Sequence, residues 1–330
     1  MNPALNRIAP LARWEVALAL VLGADLVLNA MLSPYFLDVW VWSDAMFYMT
    51  ERAVVALPLA LLIIAGEIDI SIAGIIALSS VAMGLGAAQG IPTPGLLAIG
   101  LLTGLCAGAI NGALVTAFRV SSIVATIGTM TLFRGAAYAT LGDRVLKDYP
   151  PSFAALGRGY TFGAVSIELC IFITLAALAA LFLHYTRWGR SIFAMGANAT
   201  AARWSGVPVD RYRFLLFCAT GLLSGLAAAM LTSRLGSTRP SIAQGWELEI
   251  VSIVVLGGVA VTGGKGTIGG VVLAAILLGF VNFGLGLLNV PGIVMWIVIG
   301  ALLITVVAIP ALSERILQRR HSRSASRAKP

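Results

Sequence analysis

Residues 253–274 read IVVLGGVAVTGGKGTIGGVVLA. An apolar run ends in a polar, glycine-rich break, and a fresh apolar run restarts behind it. The break has the composition of a phosphate loop without its spacing. A phosphate loop needs G-x-x-x-x-G-K-[ST], so that backbone N–H groups cradle the phosphates and the hydroxyl beside the lysine reaches Mg²⁺. With Gly264 and Lys265 as the "GK", the first glycine falls on Val259 and the hydroxyl position on Gly266. Nucleotide binding is therefore the poorer reading. Gly263, Gly264 and Gly266 instead permit a sharp turn, Thr267 is placed to cap the helix that restarts, and Lys265 is expected in cytoplasmic water.

A second stretch has the same plan. Residues 61–78 read LLIIAGEIDISIAGIIAL, and the restart Ile72-Ala-Gly74-Ile-Ile-Ala-Leu78 resembles Ile268-Gly-Gly270-Val-Val-Leu-Ala274. Here Asp69 or Ser71 is the candidate cap. Interrupted apolar segments at matching places in two halves of a chain mark the pathway in transporters. The pair predicts two pseudo-repeats, spans two to five and seven to ten, with spans one and six left over.

Composition agrees with a membrane chain. Charged residues make up 11% and hydrophobic ones 59% of 330, against about 25% charged in a soluble domain. About 20 apolar residues cross a bilayer core. The apolar runs predict ten spans, near 14–33, 46–65, 70–88, 95–118, 122–141, 165–185, 214–233, 247–263, 267–288 and 291–310. The fold class is all-α and polytopic, because a barrel would show short alternating segments in place of continuous runs. The first run is read as a span, with no cleavable signal peptide. The flanks are expected as a cytoplasmic tail at 1–13 and a basic cytoplasmic tail at 311–330, around a transmembrane domain at 14–310.

Lysine and arginine set the orientation. With the N-terminus inside, 15 of the 22 fall on the cytoplasmic side, six outside, and Arg134 within a span. Both termini are then cytoplasmic, as an even span count requires. The net charge of +8 is a topology signal and a contact with anionic lipid, not a nucleic-acid surface. Cys106, Cys170 and Cys218 are scattered in apolar runs, and only His184 and His321 carry imidazole. Neither a disulfide framework nor a metal site is expected.

In four stretches the chain resembles the permease subunit of sugar-type ABC importers, the group that includes ribose, xylose, rhamnose and autoinducer-2 systems. Gly66-Glu-Ile-Asp69-Ile-Ser71 resembles its G-G-I-D-L-S signature. Asn111-Gly-Ala-Leu-Val, Thr126-Ile-Gly-Thr-Met-Thr131 and Arg134-Gly135 resemble its N-G-L-L-V, T-L-G-T and R-G run. Gly189 to Asn198 and Ala201-Ala-Arg203-Trp-Ser-Gly206-Val resemble its cytoplasmic loop. Val254-Val-Leu-Gly257-Gly258 and Gly263 to Gly270 resemble its V-L-G-G and G-G-x-G-[ST]-x-x-G stretch. Two departures stand out: Glu67 replaces a glycine, and Arg239 follows span seven where related permeases often carry a neutral residue.

The resemblance implies a division of labour. The chain translocates and binds no cofactor, and partner ABC ATPase subunits carry ATP and Mg. A second permease, identical or homologous, completes the pathway across the bacterial inner membrane, and a periplasmic binding protein delivers the solute. The cytoplasmic loop 186–213 becomes the coupling loop. Its short helix, with Gly196, Asn198, Ala201, Ala202, Arg203, Ser205 and Gly206, would sit in a groove of the ATPase. Asn198 is the expected cap and Gly206 the expected stop.

Pathway or structural candidates are Glu67, Asp69, Ser71, Asn111, Gly257, Gly258, Gly263, Gly264, Lys265 and Gly266. For Glu67 and Asp69 the alternatives are the inner mouth of the pathway or capping in a turn. Asn111, in Gly104-x-x-x-Gly108-x-x-x-Gly112, is a hydrogen-bond link between helices or a sugar ligand. Thr126, Thr129 and Thr131 are expected to bond their own helix, Arg134 to snorkel to the interface. Glu247 and Glu249 are expected as rim charges or docking contacts. Loop 142–164, with Asp143, Arg144, Lys147 and Asp148, is a landing site for the binding protein or a plain solvated loop.

The favoured function is ATP-driven import of a monosaccharide, rhamnose or a related sugar, by alternating access. Autoinducer-2 import is the alternative within the family. A proton- or sodium-coupled carrier would need paired intramembrane acids, and Asp25 in span one has no evident mate. A membrane enzyme would need a convergent catalytic set, which two scattered histidines do not supply.

Overall fold

The computed structural model describes residues 5–295 except Phe162, together with 297, 298, 300, 301 and 304; side chains are described from Trp14 onward, Asp44 excepted. Most of the tenth expected span, 291–310, and all of the tail 311–330 lie outside the described residues.

The chain is a helical bundle. Its long helices are α1 (Leu5–Leu32), α2 (Val39–Ile64), α3 (Ile72–Ala88), α4 (Thr93–Thr116) and α5 (Ser122–Leu141). A short helix α6 (Ala154–Arg158) and a two-residue hairpin, β1 (Tyr160–Thr161) with β2 (Val165–Ser166), lead to α7 (Ile167–Tyr185). Then come α8 (Arg187–Ala197), α9 (Ala199–Trp204), α10 (Val209–Leu235), α11 (Trp246–Leu256) and α12 (Ile268–Leu287). Among the described residues, six helices, α1, α2, α4, α7, α10 and α12, are long and apolar enough to cross a membrane. Helix α3 is a shorter apolar helix.

Helix α2 sits at the centre. Its second half, from Ala53 on, is apolar all round, as a fully enclosed helix must be, and Val54, Ala56, Leu59, Leu62 and Ile64 are completely buried. Around it, α4 and α10 approach at backbone distance. A Cβ on Gly104 would meet the Gly225 nitrogen at 2.8 Å, and one on Gly221 the Gly108 Cα at 2.7 Å. Small residues four apart on both helices allow this approach. The outer surfaces of α1 and α7 stay apolar and exposed, with Leu20, Met31, Ile173 and Leu181 facing outward. That is the surface of a multi-pass membrane protein.

Three expectations are corrected. The eighth span, placed at 247–263, is only the eleven-residue α11. At 1.5 Å per residue it reaches about 16 Å, well short of a bilayer core of about 30 Å. The apolar run continues, but the helix stops at Gly257 and Gly258, the latter at φ +83°. Its other end is also irregular: residues 236–245 fold into the bundle, with Thr238, Ile242 and Ala243 buried. The arginine expected to snorkel, Arg134, holds this segment, donating to the carbonyls of Pro240 (2.9 Å) and Ile242 (2.6 Å) and to that of Ala73 (3.1 Å). Finally, the connection 142–164 is not a plain loop. Tyr149 stacks on the buried Phe153 at 4.9 Å and shares a hydrogen bond with Thr238, while Asp143, Arg144, Lys147 and Asp148 remain mostly exposed around it.

Candidate functional site

The two broken stretches and the loop 186–213 meet at one backbone junction. Helix α2 ends at Ile64, whose carbonyl has lost its helical partner. The N–H of Gly264 fills that vacancy at 2.8 Å, as an exposed helix end requires. Gly196, near the end of α8, lies against the same carbonyl, and a Cβ on it would also stand 2.5 Å from the Gly264 nitrogen. A Cβ on Gly263 would meet the Gly196 carbonyl at 2.9 Å and the Gly66 Cα at 3.1 Å. Four glycines from three distant segments thus touch without side chains. This is what the glycines of the 253–274 stretch do. Lys265 is exposed beside them, and Gly266 is buried against Ile64 and Val259.

The junction is clamped from α1. Trp14 donates from its indole to the Leu256 carbonyl at 2.9 Å and covers Gly258. Thr267 accepts from the Gly270 N–H at 3.1 Å, the expected cap, and donates to Glu15 at 2.5 Å. Gly257 packs its Cα face on Val271 of α12.

The segment 186–213 is built on this junction. Asn198 accepts from the Ala201 N–H at 2.9 Å and so starts α9. Gly206, at φ +85°, turns the chain out of it. Ala202 is buried, and Arg203 reaches Asp210 at 2.7 Å across the surface. Ser205 bonds back to the Ala201 carbonyl at 2.9 Å. The residue that stands out is one the motif contained but the candidates omitted: Trp204, 88% exposed. At the end of a capped helix, this indole packs little against its own chain.

Behind the junction lies a buried polar network. Asp69 is fully buried and accepts from the Ser71 N–H at 2.8 Å and the Ser71 hydroxyl at 2.6 Å. The Asn111 amide donates to the Ser71 oxygen at 2.7 Å, and Thr129 donates to the Asn111 carbonyl oxygen at 2.7 Å. Asp69 thus makes the contacts of a turn cap, and Asn111, on α4, bonds both to the break and to α5. Thr126 and Thr131 bond their own helix as expected; Thr129 also reaches its own helix, at the Thr126 carbonyl 3.3 Å away, and lies closer still to Asn111. Glu67, the residue in place of a glycine, is paired with Arg213 of α10 at 2.8 Å.

A second polar cluster lies at the opposite end. Glu51 takes Arg234 in a two-pronged pair at 2.8 and 2.9 Å. Arg52 pairs with Glu249 at 2.6 Å and stands over the Trp246 ring at 4.5 Å. Glu249 is thus no free rim charge.

Against known proteins, residues 43–307 match the family model described as branched-chain amino acid transport system, permease component. The chain is similar to the autoinducer 2 import system permease protein LsrD of Photorhabdus laumondii, 34% identical over 300 residues, 89% of this chain and 90% of that one. The protein of the same name from Salmonella typhimurium is 33% identical over the same shares, and that from Escherichia coli O9:H4 is 34% identical over 304 residues, 89% of this chain and 91% of that one.

Proposed function

The chain belongs to this family of ABC importer permeases, and we propose that it is the membrane-spanning subunit of an autoinducer 2 importer. It is a multi-pass protein of the bacterial inner membrane and not itself catalytic; ATP is handled by an ATPase partner, and a binding protein supplies such importers. The relatives support autoinducer 2 over rhamnose, which stood first on sequence grounds alone. They name no sugar.

The single observation that carries the mechanism is the glycine junction at Ile64, Gly196 and Gly264. In this reading the ATPase grips α9 through Trp204 and Arg203. Closure on ATP moves α9, and the side-chain-free contact passes the motion to α2 and the 257–267 turn with little slack. A tilt of α2 against α12 then opens the pathway to each side in turn. A second permease and cytoplasmic termini complete the proposal. The short helices α3 and α11 are its broken elements.

The test is uptake of autoinducer 2, rhamnose, ribose and xylose by cells lacking the gene and by complemented cells, with a proton uncoupler present and ATP maintained. Autoinducer 2 uptake restored by the gene and indifferent to the uncoupler is the expected result. Uptake that collapses with the proton gradient would point to a secondary carrier instead.

A further inference from the structure

Helix α12 carries one side chain with hydrogen-bonding atoms, Asn282. Its amide has no hydrogen bond among the described residues, in a helix otherwise made of Ile, Val, Leu, Ala, Phe and Gly. An unpaired carboxamide in so apolar a helix is costly, and Asn282, half-buried, faces an open-sided cavity of about 460 Å³ lined also by Tyr48, Arg52, Glu249, Phe283 and Gly286. Counting along α2 and α12, Arg52 and Asn282 both stand about 20 Å from the glycine junction. The cavity thus lies on the side away from α9 and is open toward the exposed Gly286 and Gly292.

We infer that this cavity is a resting site for a small, neutral, polyhydroxylated solute, held by Asn282 and the Arg52–Glu249 pair between the rings of Tyr48 and Phe283. The inference rests on the importer reading above and places its solute.

The chemistry of the lining selects that class. Arg52 and Glu249 sum to no charge while presenting donors on one side and an acceptor on the other. A free anion would meet the carboxylate and a free cation the guanidinium. Hydroxyl groups, which both donate and accept, suit the pair and the amide equally. The Tyr48 and Phe283 rings, 6.3 Å apart, give apolar walls for C–H faces. The size lies within the range of small-molecule sites. The cavity also has a floor. Below it Met49 packs on Gly279, where a Cβ would stand 2.6 Å from the Met49 Cβ, and only a void of about 10 Å³ remains beside Ile253 and Ala275. A water fits there and a solute does not. Toward the other side a neighbouring cavity of about 480 Å³ shares Tyr48 and Phe283 and reaches Arg234, itself neutralised by Glu51. The two cavities share their aromatic wall above a closed apolar floor.

The experiment uses the complete importer in cells and compares wild type with Asn282→Ala and Asn282→Leu, giving autoinducer 2, ribose or rhamnose as solute. Leucine suits an apolar helix, so folding and insertion are kept. Both variants are expected to assemble with their partners at wild-type yield, yet to lower the maximal uptake rate about tenfold, the loss of one good hydrogen bond to the solute. Asn282→Ser is expected to recover part of it. Wild-type uptake with undiminished uptake by both variants would overturn the site and leave the importer reading standing. Loss of permease pairing on co-purification would overturn it too, making Asn282 a link between subunits. No uptake of any of the three by wild type would sink the importer reading, and the site with it.

Discussion

Gly196 lies with its Cα face on the carbonyl oxygen of Ile64, and nothing larger than hydrogen fits between them. Replacing Gly196 by alanine puts a methyl group into that carbonyl and 2.5 Å from the Gly264 nitrogen. The obstacle is backbone on two sides, so the junction has to open. Overpacking of this kind costs about 1–3 kcal/mol. The expected outcome is an importer that still binds its ATPase through α9 but whose uptake drops about tenfold or more, because the contact that carries motion to α2 has been wedged apart. Uptake and ATP hydrolysis measured on the same preparation check it; unchanged uptake per ATP would remove the junction from the mechanism.

The pair Glu67–Arg213 ties the break after α2 to the start of α10 at 2.8 Å, with both side chains largely shielded. Removing one partner leaves the other charge poorly solvated, at a cost of about 1–3 kcal/mol after allowing for its partial exposure. Arg213→Gln and Glu67→Gln should each lower the melting temperature in detergent. The double variant should lie above the sum of the two losses. Strict additivity in that double-mutant cycle would mean the pair contributes nothing.

How much of this was legible in the sequence depends on the range of the interaction. The Asn198 cap, the Gly206 stop and the Thr267 cap are local, within three or four residues, and motif reading found them. So was the failure of the 253–274 stretch to match a phosphate loop. The meeting of that stretch with Gly196 and Gly66 was not, because glycine spacing says where a chain can come close but not to what. Glu67 looked like an unexplained departure until its partner 146 positions away came into view. Hydropathy also misplaced α11: Val259, Ala260 and Val261 are as apolar in a loop as in a helix, and only the Gly257–Gly258 pair signals the stop. The exposed Trp204 was passed over because aromatic residues in apolar chains are ordinarily core or lipid contacts.

Trp204 gives a direct prediction. Being 88% exposed, it contributes little packing within the chain, so Trp204→Ala should leave the melting temperature of the isolated permease within about 0.5 kcal/mol equivalent of wild type. Its loss at an interface anchor should be worth about 2 kcal/mol or more, seen as a thirtyfold or so weaker grip on the ATPase subunits. Co-purification at graded detergent and salt reads this. An intact complex would show that α9 docks through its other face.

The last prediction separates structure from transport at Asn111. Its amide holds Ser71 at 2.7 Å and its carbonyl oxygen accepts from Thr129 at 2.7 Å, all three being buried. Asn111→Ala strips partners from both and loosens the surroundings of Asp69, at a cost of about 1–3 kcal/mol. If Asn111 is a link between helices, the folded fraction falls and the uptake of each folded molecule does not. Uptake divided by the amount of correctly assembled protein should therefore match wild type, and its solute dependence should be unchanged. A sugar ligand would behave in the opposite way, with normal assembly and a specific loss for the transported solute. Asn111→Ser, which keeps a donor and an acceptor in less volume, should stand between alanine and wild type in stability and equal wild type in uptake per folded molecule.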